Sequence, residues 1–159
     1  MLASKILFLL FVANGAPILL DKMLGDRYAW PLDGGRFFVD GRPLLGPSKT
    51  WRGVICAVLM TALAAEILGF SLALGVVAAT GAMLGDLCSS FIKRRLGMRS
   101  SAMALGLDQI PEALFPLLLL RGTWELTNWD LLKLVIAFLV LELALSRILY
   151  RLDIRKQPY

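Results

Sequence analysis

The sequence predicts an all-α integral membrane protein with about five transmembrane helices and a structured cytoplasmic loop between the first two. Three observations predict it. The chain is 58% apolar, against roughly 45–50% in a soluble domain, and its mean hydropathy is +0.71. The apolar residues gather into five segments. Fourteen of the seventeen Lys and Arg fall in three stretches, 22–52, 93–99 and 147–156, leaving only Lys5, Arg121 and Lys133 elsewhere. Residues 1–159 read as a single transmembrane domain.

The first segment, about 2–20, lacks a small-residue cleavage site and reads as a retained span rather than a signal peptide. Within it, Asn14 and Pro17 are placed to bend the helix and line a cavity. The second segment runs over about 54–69, with Trp51 and Arg52 as interfacial anchors. The third covers about 70–92, and a turn near Gly69 joins it to the second. The fourth, about 107–120, is short for a span that needs about 20 residues. It is expected to begin inside the membrane boundary or against a water-filled cavity. The fifth covers about 131–149, after a connection in which Trp124 and Trp129 read as interfacial aromatics.

An odd number of spans puts loops 21–53 and 93–106 on the same side as the tail 151–159. The positive-inside rule then makes that side cytoplasmic, with the N-terminus outside. Function is expected there. The tail RLDIRKQPY reads as a solvated juxtamembrane end with weak attraction to anionic headgroups.

Histidine is absent. That excludes a His general base, a Ser-His-Asp triad and any His-ligated metal. Cys56 and Cys88 sit inside apolar segments as small hydrophobes, so neither a disulfide framework nor a thiolate zinc site is expected. Chemistry must rest on carboxylates, Lys, Arg and a hard cation.

The run GDLCSSFIKRRLGMRSSAMALGLDQIPE (85–112) carries most of the functional signal. It sets Asp86, Asp108 and Glu112 beside Lys93, Arg94, Arg95 and Arg99. An ionised carboxylate at a membrane-helix centre costs about 2.5–3.5 kcal/mol. A metal-bound polyphosphate would offset that cost, since carboxylates hold the metal and cations hold the phosphates. Asp108 and Glu112 are four apart and share a helix face, as do Asp86 and Ser90. Oxygen donors from two neighbouring helices suit Mg²⁺, with Glu112 the weakest candidate because it could pair with an Arg. Glu66 and Glu142 read as polar groups of helix packing, outside the site.

The first loop, WPLDGGRFFVDGRPLLGPSKTWRG (30–53), is divided by Asp33-Gly34-Gly35, Asp40-Gly41 and Gly46-Pro47 into short extended pieces that suggest a small hairpin. It delivers Lys49 and Thr50 to the start of the second helix, where backbone N–H groups and a lysine favour phosphate. It is not a P-loop: two residues separate Gly46 from Lys49, and no buried strand precedes it.

These segments resemble the CDP-archaeol synthases of archaea, relatives of the phosphatidate cytidylyltransferases. The resemblance rests on ANGAP (13–17), FVDGRPLLGPSKTWRG (38–53), GD (85–86), SFIKRRLG (90–97) and LDQ (107–109), in that order over most of the chain. It implies transfer of CMP from CTP to an isoprenoid ether-lipid phosphate, 2,3-bis-O-geranylgeranyl-sn-glycerol 1-phosphate, with Mg²⁺ and release of pyrophosphate. It places Lys49 and Thr50 in the nucleotide-handling loop, and Arg52 is expected beside them in substrate binding. Asp86 and Asp108 belong to the metal centre, and Lys93, Arg94 and Arg95 to the anion-binding motif, with Ser90 expected among the substrate-binding residues. The family is expected to continue LDQ with an apolar stretch, whereas this chain has Ile110, Pro111 and Glu112, so a metal role for Glu112 has less support. A second reading of the same acids is a cation or proton transporter using Asp86, Asp108 and Glu142. The charges cluster at one face, which favours the enzyme.

Overall fold

Side-chain caps fix where three of the helices begin. The computed structural model describes residues 1–102 and 104–151, with the backbone alone at 149 and 150. Five helices run in order: α1 (Leu2–Leu24), α2 (Trp51–Ile67), α3 (Leu72–Arg95), α4 (Gln109–Leu119) and α5 (Asn128–Arg151). Thr50 is extended and its hydroxyl accepts from Gly53 N at 3.3 Å, which starts α2. Ser71 does the same for α3, accepting from Leu74 N at 3.3 Å. Thr127 and Asp130 satisfy each other's backbone N–H, at 3.2 and 3.0 Å, and so open α5. Each cap meets a donor that the first helical turn leaves without a partner.

The helices lie where the apolar segments predict them, with shifted ends. α1 runs on to Leu24 and carries Asp21 and Lys22 on its last turn; α3 runs on to Arg95, so the basic cluster is helical. Cations at a helix C-terminus complement its partial negative charge, which lets this turn persist. α1 and α3 are long and apolar enough to cross a membrane. The 11 residues of α4 rise about 16 Å, roughly half of a hydrocarbon core. Loop 25–50 forms two isolated antiparallel bridges, Pro31 with Thr50 and Phe37 with Pro43, with no longer strand among the described residues. The basic tail, from residue 152 on, lies outside the described residues.

The core draws on all five helices. Ile6, Leu9 and Leu10 of α1 meet Ala65, Ala78, Ala113, Leu117 and Phe138. Phe11 and Phe138 stack at 5.2 Å between ring centroids. Trp124 is buried against Phe70 rather than interfacial, because α4 ends early and the following turn folds back onto the core; Trp129 is exposed as expected. Large apolar residues such as Leu59, Leu63, Ile136 and Val140 face outward, as in a protein solvated by lipid.

α3 and α4 approach closely because α3 has no side chain at two crossings. A Cβ on Gly81 would meet the backbone of Pro116, and one on Gly85 would meet Pro111 and the backbone N of Glu112. Backbones can come this near only past glycine. The contact at Gly85 seats Glu112 next to Asp86, one residue further along α3.

Candidate functional site

A cavity of about 750 Å³ opens where the C-terminal ends of α1 and α3 meet the N-terminal ends of α2 and α4. Leu45, Pro47 and Ser48, with Ser101 and Ala102, line its rim, and α5 contributes Glu142. Its walls carry nearly every residue the sequence singled out: Lys49, Thr50, Arg52, Asp86, Ser90, Lys93, Arg94, Asp108 and Glu112.

Two lysine–carboxylate pairs dominate it. Lys49 Nζ lies 2.6 Å from both carboxylate oxygens of Asp86. Burial pushes the Lys49 ammonium down, but the Asp86 charge and hydrogen bond, with Glu112 and Asp108 beyond, outweigh it and hold the group above its ordinary 10.5. Lys93 Nζ lies 2.6 Å from Asp108 Oδ1 and donates to Ala102 O at 3.0 Å. Asp108 also accepts from Ala104 N at 2.9 Å through its second oxygen, and Gln109 accepts from Gly106 N at 2.8 Å, so the turn before α4 is pinned to the site. The Glu112 carboxyl faces Asp86, with the charges of Glu142 and Lys49 close by.

The cations divide by role. Buried Arg94 donates through Nη2 to Arg99 O at 2.6 Å, while its Nε has no partner among the described residues. A buried guanidinium donor left without a partner is costly, and it is suited to an anion. Arg52 is spent on the fold: it donates to Arg27 O, to Asp21 Oδ1 at 2.5 Å and to Gly25 O at 2.7 Å, fastening loop 25–27 beside the cavity. Thr50 is held by its capping bond to Gly53.

Arg95 departs from expectation, for it does not line the cavity. It pairs with Asp40 at 2.5 Å and lies over the rings of Phe38 and Phe91 at 4.7 and 4.9 Å. Three successive helical residues cannot face one way, so the basic run splits between the cavity and the loop. Glu142 departs in the other direction and lines the cavity that the sequence reading denied it. Asp21, Lys22 and Asp26 also line it unanticipated, while Asn14 and Pro17 do so as expected.

Asp33 shapes the loop. It is buried and accepts from Gly35 N at 2.9 Å, Leu45 N at 2.9 Å and Gly46 N at 3.0 Å. Burial raises its carboxyl, but the bonds from Gly46, Leu45 and Gly35 prevail and hold it below its ordinary 3.8. Lys49 follows three residues after Gly46, so this knot aims it at Asp86.

All candidate metal ligands here are oxygens, which suits a hard divalent cation. Among the described residues, however, no three His, Cys, Asp or Glu side chains converge to form a cage. Asp86, Asp108 and Glu112 therefore do not form a ready three-acid centre, because lysines hold two of them apart. Mg²⁺ takes one or two carboxylates and completes its shell with water and substrate phosphates, a pattern these residues still fit.

A helical membrane protein with a charged cavity at one end of its spans belongs to the class of intramembrane proteins whose polar site lies at a membrane boundary. The comparisons narrow that class. A family model for CarS-like CDP-archaeol synthases matches residues 2–159. The CDP-archaeol synthase of Sulfurisphaera tokodaii is 36% identical over 155 residues, 93% of this chain and 89% of the relative. That of Hyperthermus butylicus is 45% identical over 104 residues, 62% of this chain and 59% of the relative. A solved structure, described as an intramembrane enzyme for archaeal membrane lipids biosynthesis, aligns with a TM-score of 0.69 at 30% identity, covering 87% of this chain and 90% of the other. This chain belongs to the CDP-archaeol synthase family, which are membrane cytidylyltransferases, and the transporter reading falls away.

Proposed function

We propose that this cavity takes CTP from the cytoplasm and an isoprenoid glycerol-phosphate lipid from the bilayer, and that CMP passes to the lipid phosphate to give CDP-archaeol and pyrophosphate. The observation that carries the reading is the pair of lysine–carboxylate contacts, Lys49–Asp86 and Lys93–Asp108, on one cavity wall at the end of the membrane helices. Positive residues lie at this end in loop 22–52 and at 93–99, which supports a cytoplasmic placement.

The nucleophile is a lipid phosphate oxygen, ionised at neutral pH. No strong base is required, in keeping with a chain that has no histidine. That oxygen attacks the α-phosphorus of CTP in line. The new P–O bond forms as the bond to the bridging oxygen breaks, and pyrophosphate leaves with the electron pair. Lys49, Lys93 and Arg94 hold the phosphates and take up charge as it grows on the leaving group. Asp86 and Asp108, with Glu112 alongside, would hold Mg²⁺, which would neutralise charge on the triphosphate. Fixing two substrates in one cavity supplies much of the remaining rate.

The test incubates purified protein with labelled CTP and a panel of lipid phosphates, with and without Mg²⁺. A CDP-lipid formed from the ether-linked isoprenoid acceptor, lost when Mg²⁺ is chelated and restored by adding it back, is expected. Lack of any CDP-lipid across the panel contradicts the reading.

A further inference from the structure

Loop 28–39 exposes an apolar surface that the reaction does not use. Tyr28 is 68% exposed, Trp30 71%, Phe37 68% and Val39 95%. Single exposed apolar residues are ordinary, but four within a dozen residues mark an interaction surface. Arg27 and Arg36, also exposed, are interleaved with them.

The height of this loop is set by what it touches. The 24 residues of α3 rise about 36 Å, longer than a hydrocarbon core of about 30 Å, so its last turn reaches the headgroup layer. The loop packs on that last turn. Phe38 meets Phe91 edge-on at 5.3 Å, and Arg42 donates to the carbonyls of Arg94 and Arg95. At its other end the loop joins α2, where Trp51 N donates to Trp30 O at 3.2 Å and Trp51 is itself exposed at the first helical residue. Both attachments put the loop level with the membrane boundary, beside the exposed Trp51 and Ile55 that begin the outward face of α2.

We infer that loop 28–39 lies in the bilayer interface, with Tyr28, Trp30, Phe37 and Val39 among the headgroups and upper acyl chains and Arg27 and Arg36 on lipid phosphates. Aromatic residues favour this depth, and basic residues are attracted to anionic lipid there. The loop carries Asp33, whose bonds to Leu45 and Gly46 lead on to Lys49, so the anchor ties the rim of the cavity to the surface from which a lipid headgroup arrives. The anchoring is independent of which reaction the cavity performs.

The test attaches an environment-sensitive dye to Val39→Cys and, separately, to Phe37→Cys, in full-length protein with Cys56 and Cys88 replaced by alanine. Each variant is reconstituted in vesicles containing anionic lipid, once its thermal unfolding matches wild type. Nitroxide on the shallow acyl carbons should quench at least one position several-fold more than aqueous iodide does. Iodide quenching at both positions without lipid quenching overturns the inference. Shielding of both from either quencher, as in a protein–protein contact, also overturns it.

Discussion

Lys49 and Asp33 show how single residues set the site. Lys49 meets both oxygens of Asp86 only because Asp33, sixteen positions earlier, gathers three backbone N–H groups and turns the chain toward α3. Asp33→Ala leaves those donors without a partner, a loss of about 1–3 kcal/mol. The expected result is easier proteolysis of the loop and a raised KM for CTP. The carboxylate's stabilisation is fully present above its ordinary 3.8 and disappears as pH falls through its lowered folded value. Wild type should therefore show an acid-induced loosening of the loop below about pH 3.8 that Asp33→Asn does not show. Asp86 and Asp108 are legible in the sequence because a carboxylate beside an apolar run is costly and demands a reason, and Lys49 because glycine turns deliver it to the start of α2. Glu142 is not, since nothing local says which face of α5 turns toward the cavity. Arg95 was misplaced because its partner Asp40 lies 55 residues away.

Among the elements, the α3–α4 contact controls how near the acids come. Gly85→Val would drive a side chain into Pro111 and the backbone of Glu112, overpacking that costs about 1–3 kcal/mol. Thermal unfolding in detergent should fall, and CDP-lipid synthesis should fall further than stability alone explains, because Glu112 moves off Asp86. Unchanged activity would show that the close crossing is dispensable. Helix positions were legible from hydropathy, whereas their ends were not. Thr50 and Ser71 begin helices through capping bonds, and α3 carries its helix through a basic run that hydropathy alone would end at residue 92. The two bridges of the first loop were foreshadowed by its Asp-Gly turns, but the long-range Asp33 bonds to Leu45 and Gly46 were not.

At the scale of the whole molecule, the helices place a charged cavity at one end of the bundle. The opposite end has little to recommend it chemically: Lys5 donates to Leu68 O at 2.7 Å and Arg121 to Leu126 O at 3.1 Å, both tying off helix ends. A charged cavity at one boundary suits an enzyme that draws a soluble nucleotide from water and a lipid headgroup from the membrane. Asp86 and Asp108 come from separate elements to line the same cavity, and the proposed reaction rests on both. Its most direct measurement is Mg²⁺-dependent CDP-lipid formation by Asp86→Asn and Asp108→Asn, each a change of one atom in a site otherwise intact. A loss of about a hundredfold or more in kcat is expected for each, with folding and membrane insertion preserved; wild-type rates in both variants would overturn the metal-site reading.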